Sequence, residues 1–271
     1  MTAQEPIANP GSHRDARGRV VVISGAGGGI GRACALMYAA EGATVLVLDN
    51  APETCAQVAK EVDEAGGRGL PCVADVSQEE AVRQISGRLR GEHGGADIVI
   101  HAAIQRMPGH LDSLPTGSFD RLLEVGLRGG FLLGREFGRD MVARGSGVLV
   151  FIGSTAAYSP YPYTGAYSAC KAALVMLAKS FALEWASSGV RSVSVSPGMV
   201  RTPMTEELYS QPEVLAGRSA VAPLGRIASP DEIAQAVHFV ASDAASYMTG
   251  SDLLVDGGFV MSKFMHVPGR G

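Results

Sequence analysis

The stretch RVVVISGAGGGIG, residues 19–31, decides the fold of this chain. Its first half, a run of Val and Ile, is typical of a buried β-strand, and the following RACALMYAAEG (32–42) is typical of a helix. Glycines at a strand-to-helix junction permit a tight turn and close backbone approach, and the helix N-terminus offers free N–H groups to an anion. The stretch therefore predicts either a dinucleotide phosphate loop or a tight turn without a ligand, and its position between strand and helix favours the first.

The same alternation of strand and helix continues along nearly the whole chain. Short β-branched runs occupy 19–24, 43–49, 69–76, 97–103, 147–154, 190–197 and 252–256. Longer amphipathic stretches occupy about 29–41, 53–65, 78–92, 116–143, 165–187 and 230–241. Apolar strands alternating with helices predict an α/β fold: a doubly wound, mostly parallel, seven-stranded Rossmann-type sheet with helices on both faces.

Three segments depart from this alternation, and the rest forms one domain over 18–271. Residues 1–17 are polar, with Pro and Gly, and predict a disordered leader. Residues 199–228 are rich in Pro, Met and Gly and follow a strand end, where an insertion is often a substrate lid. Residues 259–271 carry several apolar side chains, which we expect to pack at a subunit interface.

Composition excludes several classes of function. The formal net charge is -4, so we expect neither nucleic acid nor an anionic membrane as a partner. The chain contains no run of apolar residues long enough to span a membrane and no secretory h-region near its start. The four cysteines form no CxxC pair and the six histidines lack ligand spacing, which indicates a cytoplasmic protein with no metal site.

Acidic residues after the second and third strands indicate how a dinucleotide would bind. Asp49 lies about 20 residues beyond the glycine loop, where a carboxylate can accept hydrogen bonds from the adenosine ribose hydroxyls. A 2'-phosphate would be repelled there, and Asp49-Asn50-Ala51 offers no compensating cation, although Arg32 could partly offset this. NAD is therefore predicted rather than NADP. Asp75 is placed either to reach the adenine edge or to serve as a turn or helix-cap residue.

A second group of residues suggests proton transfer. Tyr167 and Lys171 are four residues apart and share one face of a helix. A tyrosine has an ordinary pKa of about 10, and a nearby ammonium stabilises its phenolate. This pair alone is common by chance, but Ser154 closes the preceding strand and completes a recognisable set.

With these residues the chain, from about 18 to 259, resembles the short-chain dehydrogenase/reductase family. The matching motifs are Ser24–Gly31, close to TGxxxGIG, then Asp75-Val76, Ser154, Tyr167-x-x-x-Lys171, Pro197-Gly198 followed by Thr202, and Asp256-Gly257-Gly258. The resemblance implies an NAD(H)-dependent enzyme that interconverts a secondary alcohol and a ketone, with Ser154, Tyr167 and Lys171 catalytic. Tyr167 would exchange the proton, Ser154 would hold the substrate oxygen, and Lys171 would bind the nicotinamide ribose and lower the tyrosine pKa. The implied cofactor-binding set is Gly25, Gly27, Gly29, Ile30, Gly31, Asp49, Asp75, Val76, Ala102, Tyr167, Lys171, Pro197, Gly198, Val200 and Thr202.

Two positions depart from the family pattern. The stretch His101-Ala102-Ala103-Ile104 stands where the family has Asn-Asn-Ala-Gly, and a histidine there is more often structural than catalytic. Gly126 stands where the family has a catalytic asparagine that helps hold a relay water. The alternatives are a slower enzyme, one with a rearranged relay, or a non-catalytic NAD-binding protein. The intact Ser154 and Tyr167 favour an active enzyme.

Substrate and assembly are predicted less specifically. Side chains expected around the substrate suit a mid-sized alcohol or ketone with an apolar body: Gln105, Arg106, Met107, Ala156, Tyr158, Tyr161, Met199, Met204 and Leu208. Arg106 either binds a carboxylate or is simply an exposed arginine. The family resemblance implies a homotetramer built on the helices near 116–143 and 165–187 and on the last strand.

Overall fold

A computed structural model describes residues 16–266 as a single parallel sheet covered by helices. The strands are β1 Val20–Ser24, β2 Thr44–Asp49, β3 Arg68–Val73, β4 Ile98–His101, β5 Gly147–Ile152, β6 Val190–Pro197 and β7 Asp252–Val255. Their order is β3-β2-β1-β4-β5-β6-β7, and every neighbouring pair is parallel. The predicted doubly wound seven-stranded sheet is confirmed.

The helices divide between the two faces of the sheet. They are α1 Gly29–Ala40, α2 Pro52–Glu64, α3 Glu79–His93, α4 Thr116–Leu123, α5 Gly129–Arg144, α6 Tyr167–Trp185, α7 Glu206–Tyr209, α8 Pro212–Ala220 and α9 Pro230–Ala241. Alternate strand residues enter different cores: Val21 and Ile23 pack with α1, α2 and α9, while Val20 and Val22 pack with α3, α5 and α6. This alternation explains why β1 is apolar along its whole length.

The long helix predicted over 116–143 is interrupted. Residues Glu124–Arg128 form a π-helical turn between α4 and α5, which we call the π segment. The apolar periodicity of the sequence continues through this turn, so it does not reveal the interruption. A π turn often marks a functional site, because it shifts the register of the side chains that follow.

Several strands also end earlier than predicted. β3 ends at Val73, β4 at His101 and β5 at Ile152, each two or three residues before the predicted limit. The residues beyond these ends leave the sheet at its carboxyl edge, where open α/β sheets bind ligands.

The predicted lid is a compact insertion with local structure. Residues 199–228 contain a short 3-10 turn, Pro203–Thr205, followed by α7 and α8. A parallel bridge pairs Val200 with Ala228, so the two ends of the segment lie side by side.

The two predicted terminal segments are only partly described. Of the leader predicted over 1–17, only the last two residues are among those described, and Ala16 is buried against the core. Residues Phe259–His266 of the predicted tail form a 3-10 helix, and Ser262 Oγ donates to Val221 O at 3.1 Å. The remainder, 267–271, lies outside the described residues. Within 16–266, no helix is long and apolar enough to cross a membrane.

Candidate active site

A cavity of about 1130 Å³ opens at the carboxyl edge of the sheet. Its lining runs from the glycine loop and Asp49 at one end to the lid at the other, with Ser154, Tyr167 and Lys171 between them. Every predicted cofactor-binding residue lines it except Gly27, which lies behind Asp49. The fold thus gathers nearly all the predicted site residues into one space.

The glycine loop has the close approaches that its composition predicts. Gly25 has φ +69°, and a Cβ there would lie 2.7 Å from Ala103 N. A Cβ on Gly31 would lie 2.1 Å from Gly25 O, so α1 could not pack so closely on the loop with any other residue. No side chain caps α1, and its first turn has no acidic residue. The amides at this helix N-terminus are therefore suited to the pyrophosphate of a dinucleotide.

The carboxylate of Asp49 is held by backbone amides. Gly27 N donates to Oδ2 at 2.9 Å, while Asn50 N and Ala51 N donate to Oδ1 at 2.8 and 3.2 Å. Because a Cβ on Gly27 would lie 2.7 Å from Oδ2, glycine at 27 is needed for Asp49 to fold back onto the loop. Gly27 supports the site indirectly, and Gly28 lines the cavity in its place.

Arg32 does not compensate the charge of Asp49. Its Nε donates to Glu61 Oε2 at 2.7 Å, and it is not among the residues lining the cavity. The Asp49 carboxylate at the end of β2 therefore faces the cavity without Arg32 as a neutralising cation, an alternative that the sequence had left open.

Asp75 is engaged in a local turn and an ion pair. Ser77 N and Oγ donate to Oδ1 at 2.9 and 2.8 Å, and Arg121 Nη2 lies 2.9 Å from Oδ2. Burial acts to raise the pKa of Asp75, but these hydrogen bonds and the arginine charge hold it below its usual range. Asp75 thus serves as a turn residue while still lining the cavity, so the two predicted roles are compatible.

The three predicted catalytic residues lie at the junction of β5 and α6. Ser154 follows β5, and its Oγ accepts from Ala156 N at 3.1 Å. Tyr167 begins α6, and Lys171 lies one turn later with its Nζ 5.7 Å from the centre of the Tyr167 ring. Lys171 is 2 % exposed and donates to Ile152 O at 2.6 Å. The side chains of the expected proton-transfer group are therefore in one place, with Ser154 and Lys171 buried and Tyr167 half-buried.

Burial dominates the electrostatics of this group. It lowers the pKa of Lys171 to about 8, since the ammonium loses its water. It raises the pKa of Tyr167, while the Ser154 hydroxyl and the Arg106 charge act in the opposite direction. The Lys171 ammonium donates to the carbonyl of Ile152, and its charge is not one of the influences on the pKa of Tyr167.

The two departures from the family pattern meet in the structure. A Cβ on Gly126, in the π segment, would lie 2.5 Å from Ile104 Cδ1 and 2.7 Å from Cys170 Sγ. Ile104 and Cys170 therefore fill the space that a larger side chain at 126 would need. Gly126 is not an empty position but a closely packed one.

His101 joins the same region to the centre of the sheet. Its Nδ1 lies 2.8 Å from Ser24 Oγ and its Nε2 lies 2.9 Å from Gly126 O. Burial lowers the pKa of His101 to about 4, so the ring is neutral near pH 7. It connects β1, β4 and the π segment as a structural hydrogen-bonding residue.

The substrate end of the cavity is only partly as predicted. Gln105, Arg106, Tyr161, Met199, Met204 and Leu208 line it. Met107 packs in a small core with Leu122, Ala156 is buried, and the Tyr158 hydroxyl donates to Asp252 instead. The prediction missed Ile104, Pro108, Pro162, Tyr163, Thr164, Tyr209, Arg218, Val221 and Phe259. Those from the lid carried no sequence signal beyond their place in the insertion.

Two loops are joined above this end. Gly109 and Thr164 form a parallel bridge, and Gly109 N donates to Tyr163 O at 3.0 Å. Tyr163, with φ +63°, is the one non-glycine among the described residues with a left-handed backbone. Such a conformation costs energy, so the bridge and the contact of its ring with His110 must hold the loop in place.

Residues 16–266 contain no group of three or more His, Cys, Asp or Glu side chains that could hold a metal ion.

Comparison with known proteins agrees with the geometry. A family model described as enoyl-(acyl carrier protein) reductase matches residues 25–260. A cis-4-hydroxycyclohexanecarboxylate dehydrogenase of Sinomonas cyclohexanicum is 38% identical over 242 residues, which are 89% of this chain and 96% of that protein.

Two solved structures are similar throughout. A short-chain type dehydrogenase/reductase from Mycobacterium marinum has a TM-score of 0.84 at 35% identity, covering 90% of this chain and 96% of that one. An NAD(P)-dependent gluconate 5-dehydrogenase from Beutenbergia cavernae, with NADP bound at low occupancy, has a TM-score of 0.86 at 36% identity, covering 90% of this chain and 98% of that one.

Proposed function

Since this chain belongs to the short-chain dehydrogenase/reductase family, whose members use nicotinamide cofactors, we propose that it is an NAD(H)-dependent oxidoreductase interconverting a secondary alcohol and a ketone. One observation carries the proposal. The half-buried Tyr167, with the buried Ser154 and Lys171, shares a single cavity with the glycine loop and Asp49. The names of these relatives describe dehydrogenases that act on alcohols, which agrees with this chemistry.

The residues present fit a dinucleotide. The uncapped N-terminus of α1 offers amides to the pyrophosphate, and a Cβ at Gly25 or Gly31 would close the cradle. Thr202 and the backbone from Pro197 to Val200 line the cavity beside Tyr167 and would hold the nicotinamide end. When bound, the nicotinamide supplies the acceptor or donor of the hydride.

The choice of NAD over NADP rests on Asp49. A 2'-phosphate beside this carboxylate would bring two negative charges together, and the nearby Arg32 is already paired with Glu61. The ribose hydroxyls of NAD can instead donate to the same oxygens. The NADP found in the relative from Beutenbergia cavernae makes this a necessary test.

The chain's own residues handle the proton. Tyr167 gives its proton to the carbonyl oxygen in reduction and takes the hydroxyl proton in oxidation, and Ser154 hydrogen-bonds the same oxygen. Lys171, buried beneath the tyrosine, is positioned to hold the ribose hydroxyls and to supply positive charge when a phenolate forms. The apolar surroundings exclude water and strengthen these interactions.

Titration with NADH and separately with NADPH, followed by nicotinamide fluorescence and thermal stabilisation, tests the cofactor without a known substrate. Tighter binding of NADH is expected; preference for NADPH would contradict the role given to Asp49 but leave the reaction class intact. A screen of cyclic and acyclic alcohols with NAD, including cis-4-hydroxycyclohexanecarboxylate, then tests turnover. Binding of NADH without turnover of any alcohol or ketone would contradict the enzyme proposal.

Gly126 favours the second candidate, a non-catalytic NAD-binding protein. The side chain that contributes to the family's proton relay is absent at this position. The burial of Lys171 speaks against this candidate, because burying a lysine is costly without a role for it. The alcohol screen separates the two.

We further propose that the protein is a homotetramer and that it is located in the cytoplasm. Exposed Phe131 on α5 and Met176 and Leu183 on α6 are consistent with a homotetramer that pairs these helices. Four unpaired, buried cysteines are consistent with the cytoplasm. Light scattering after gel filtration tests the assembly, and a mass of one subunit would exclude it.

A further inference from the structure

The two ends of the cavity differ in charge. Among the described residues that line it, the only carboxylates are Asp49 and Asp75, and both lie at the adenosine end. The substrate end has two arginines, Arg106 and Arg218, among mostly apolar side chains. Both charged side chains that line this end are therefore positive, while the charge of Asp256, which does not line the cavity, also acts on Tyr161 there.

Arg106 is not engaged by the protein. No hydrogen bond or ion pair of its side chain is found among residues 16–266, whereas Arg121, in the same cavity wall, pairs with both Asp75 and Glu124. Arg106 is exposed to the cavity just beyond β4, and its charge acts on Tyr167. It is near the reacting group and has its donors available.

Arg218 approaches the same space from the lid. Its guanidinium lies 5.7 Å from the centre of the Tyr209 ring, a cation–π contact that leaves its N–H groups free to donate. Its charge also acts on Tyr161, another residue of the cavity lining. Arg106, just beyond β4, and Arg218, on α8, thus approach one cavity from different elements of the fold.

We propose that the substrate is an alcohol or ketone that carries a carboxylate, and that Arg106, with Arg218 from the lid, binds this group. The inference rests on the proposed oxidoreductase function. A guanidinium matches a planar carboxylate in bidentate fashion, and the apolar lining strengthens the pair. In oxidation the carbinol C–H and O–H bonds break and C=O forms: the hydride goes to NAD⁺, the proton to the phenolate form of Tyr167, and the carboxylate is unchanged.

The test is a set of matched pairs, each a hydroxy acid and its primary amide, on cyclic and acyclic frames such as 4-hydroxycyclohexanecarboxylate. The kcat/KM of the acid is expected to exceed that of the amide by about tenfold or more, the usual worth of a charge-assisted hydrogen bond. Arg106→Gln should reduce this ratio towards one, with a smaller reduction for Arg218→Gln. Raising the salt concentration should increase KM for the acid more than for the amide.

Arg68→Gln is the matched control, since Arg68 is an exposed arginine on β3 outside the cavity lining, and it should keep the wild-type ratio. A second measurement needs no turnover: cyclohexanecarboxylate, but not its amide, should stabilise the protein–NAD complex against heat. Arg106→Gln should abolish that difference.

The outcomes separate this inference from the function beneath it. Oxidation of amides or other neutral alcohols as fast as the acids would overturn carboxylate recognition and leave the oxidoreductase standing. An acid preference that survives Arg106→Gln and Arg218→Gln together would overturn the assignment of these residues. Failure to bind NADH or to oxidise any member of the set would count against the proposed function itself.

Discussion

The loop after β1 and the loop after β4 begin side by side, because Ser24 and His101 are paired at the ends of their strands. The first keeps the glycines of the family pattern, and the second has lost its glycine and both asparagines. They touch at Gly25, where a Cβ would lie 2.7 Å from Ala103 N. The two residues that touch, Gly25 and Ala103, both match the family pattern, and the changes lie on either side of Ala103, at 101, 102 and 104.

The difference shows what fixes a residue in such a site. Gly31 has the backbone of Gly25 against it, and a backbone cannot move aside. Gly126 has only the side chains of Ile104 and Cys170 against it, and side chains can exchange volume. The second loop could change because size lost at 126 is balanced by size at 104.

Tyr167→Phe gives the largest expected effect and asks whether the changed loop has left the reaction intact. If Tyr167 is the acid and base, kcat/KM falls by about 10²- to 10⁴-fold. NADH binding should persist, since the ring and its packing remain. Steady-state kinetics with the best alcohol and an NADH titration measure both. Equal activity of the variant and the parent would show that the proton takes another path.

His101→Asn restores the family residue in the changed loop and tests its electrostatic consequence. The folded pKa of His101 is about 4, below the ordinary 6.5, so the unfolded chain binds a proton that the folded chain does not between those values. Stability is therefore full above pH 6.5 and falls by about 3 kcal/mol as the pH drops to 4.

Urea unfolding at several pH values measures this loss. The variant should lose that part of the pH dependence, whereas His110→Asn, an exposed histidine, should keep it. An unchanged slope in His101→Asn would mean that the ring is not neutral and buried as described.

Gly126→Asn tests whether the two departures are matched. The new Cβ would meet Ile104 Cδ1 at 2.5 Å, so we expect a loss of about 1–3 kcal/mol of stability from overpacking. Ile104→Gly combined with Gly126→Asn should recover part of it. Gly117→Asn is the control, since that helical glycine has open space around it. Additive effects of the two substitutions would refute the coupling.

Asp49→Asn gives the smallest expected effect and concerns the loop after β1, which keeps the glycines of the family pattern and contacts Asp49. Loss of the charge should raise the relative affinity for NADPH by about tenfold, or 1.4 kcal/mol. The amide oxygen can still accept from Asn50 N and Ala51 N, but the amide nitrogen cannot accept from Gly27 N, so two of the three backbone contacts of this side chain remain. Parallel titrations with NADH and NADPH measure the ratio. An unchanged ratio would mean that another group selects the cofactor.

The regular parts of the fold could be predicted from local sequence. A buried parallel strand is apolar along its length, and glycines mark the turn into α1, so β1 and the class of sheet follow from short-range patterns. The strand order was not predicted, because it depends on which distant strands pair. The π segment could not be predicted either, because its residues continue the apolar periodicity of α4 and α5. Its backbone conformation distinguishes it from an α-helix, and it packs against His101 and Ile104.

The site, like the fold, could be predicted from the sequence only where local spacing determines it. Ser154, Tyr167 and Lys171 stand at spacings that can be read in the sequence. The pairing of Arg32 with Glu61 and the closeness of Ile104 to Gly126 join positions far apart in the chain, and only the folded structure brings them together. That Arg106 has no hydrogen-bond or ion-pair partner among residues 16–266 is likewise visible only in the folded structure.

The bridge between Val200 and Ala228 has a consequence for how such a protein can diversify. Because the two ends of the insertion lie side by side, exchanging it for that of a relative would leave the strand pairing unchanged, provided that the contacts of Val221 with Ser262 and of Leu224 with Gly257 are kept. A transplant from Val200 to Ala228 would carry Arg218 with it and leave Arg106 and Asp49 behind. One of the two arginines proposed to bind the substrate would thus move with the insertion, whereas the residue proposed to select the cofactor would stay in the body of the fold.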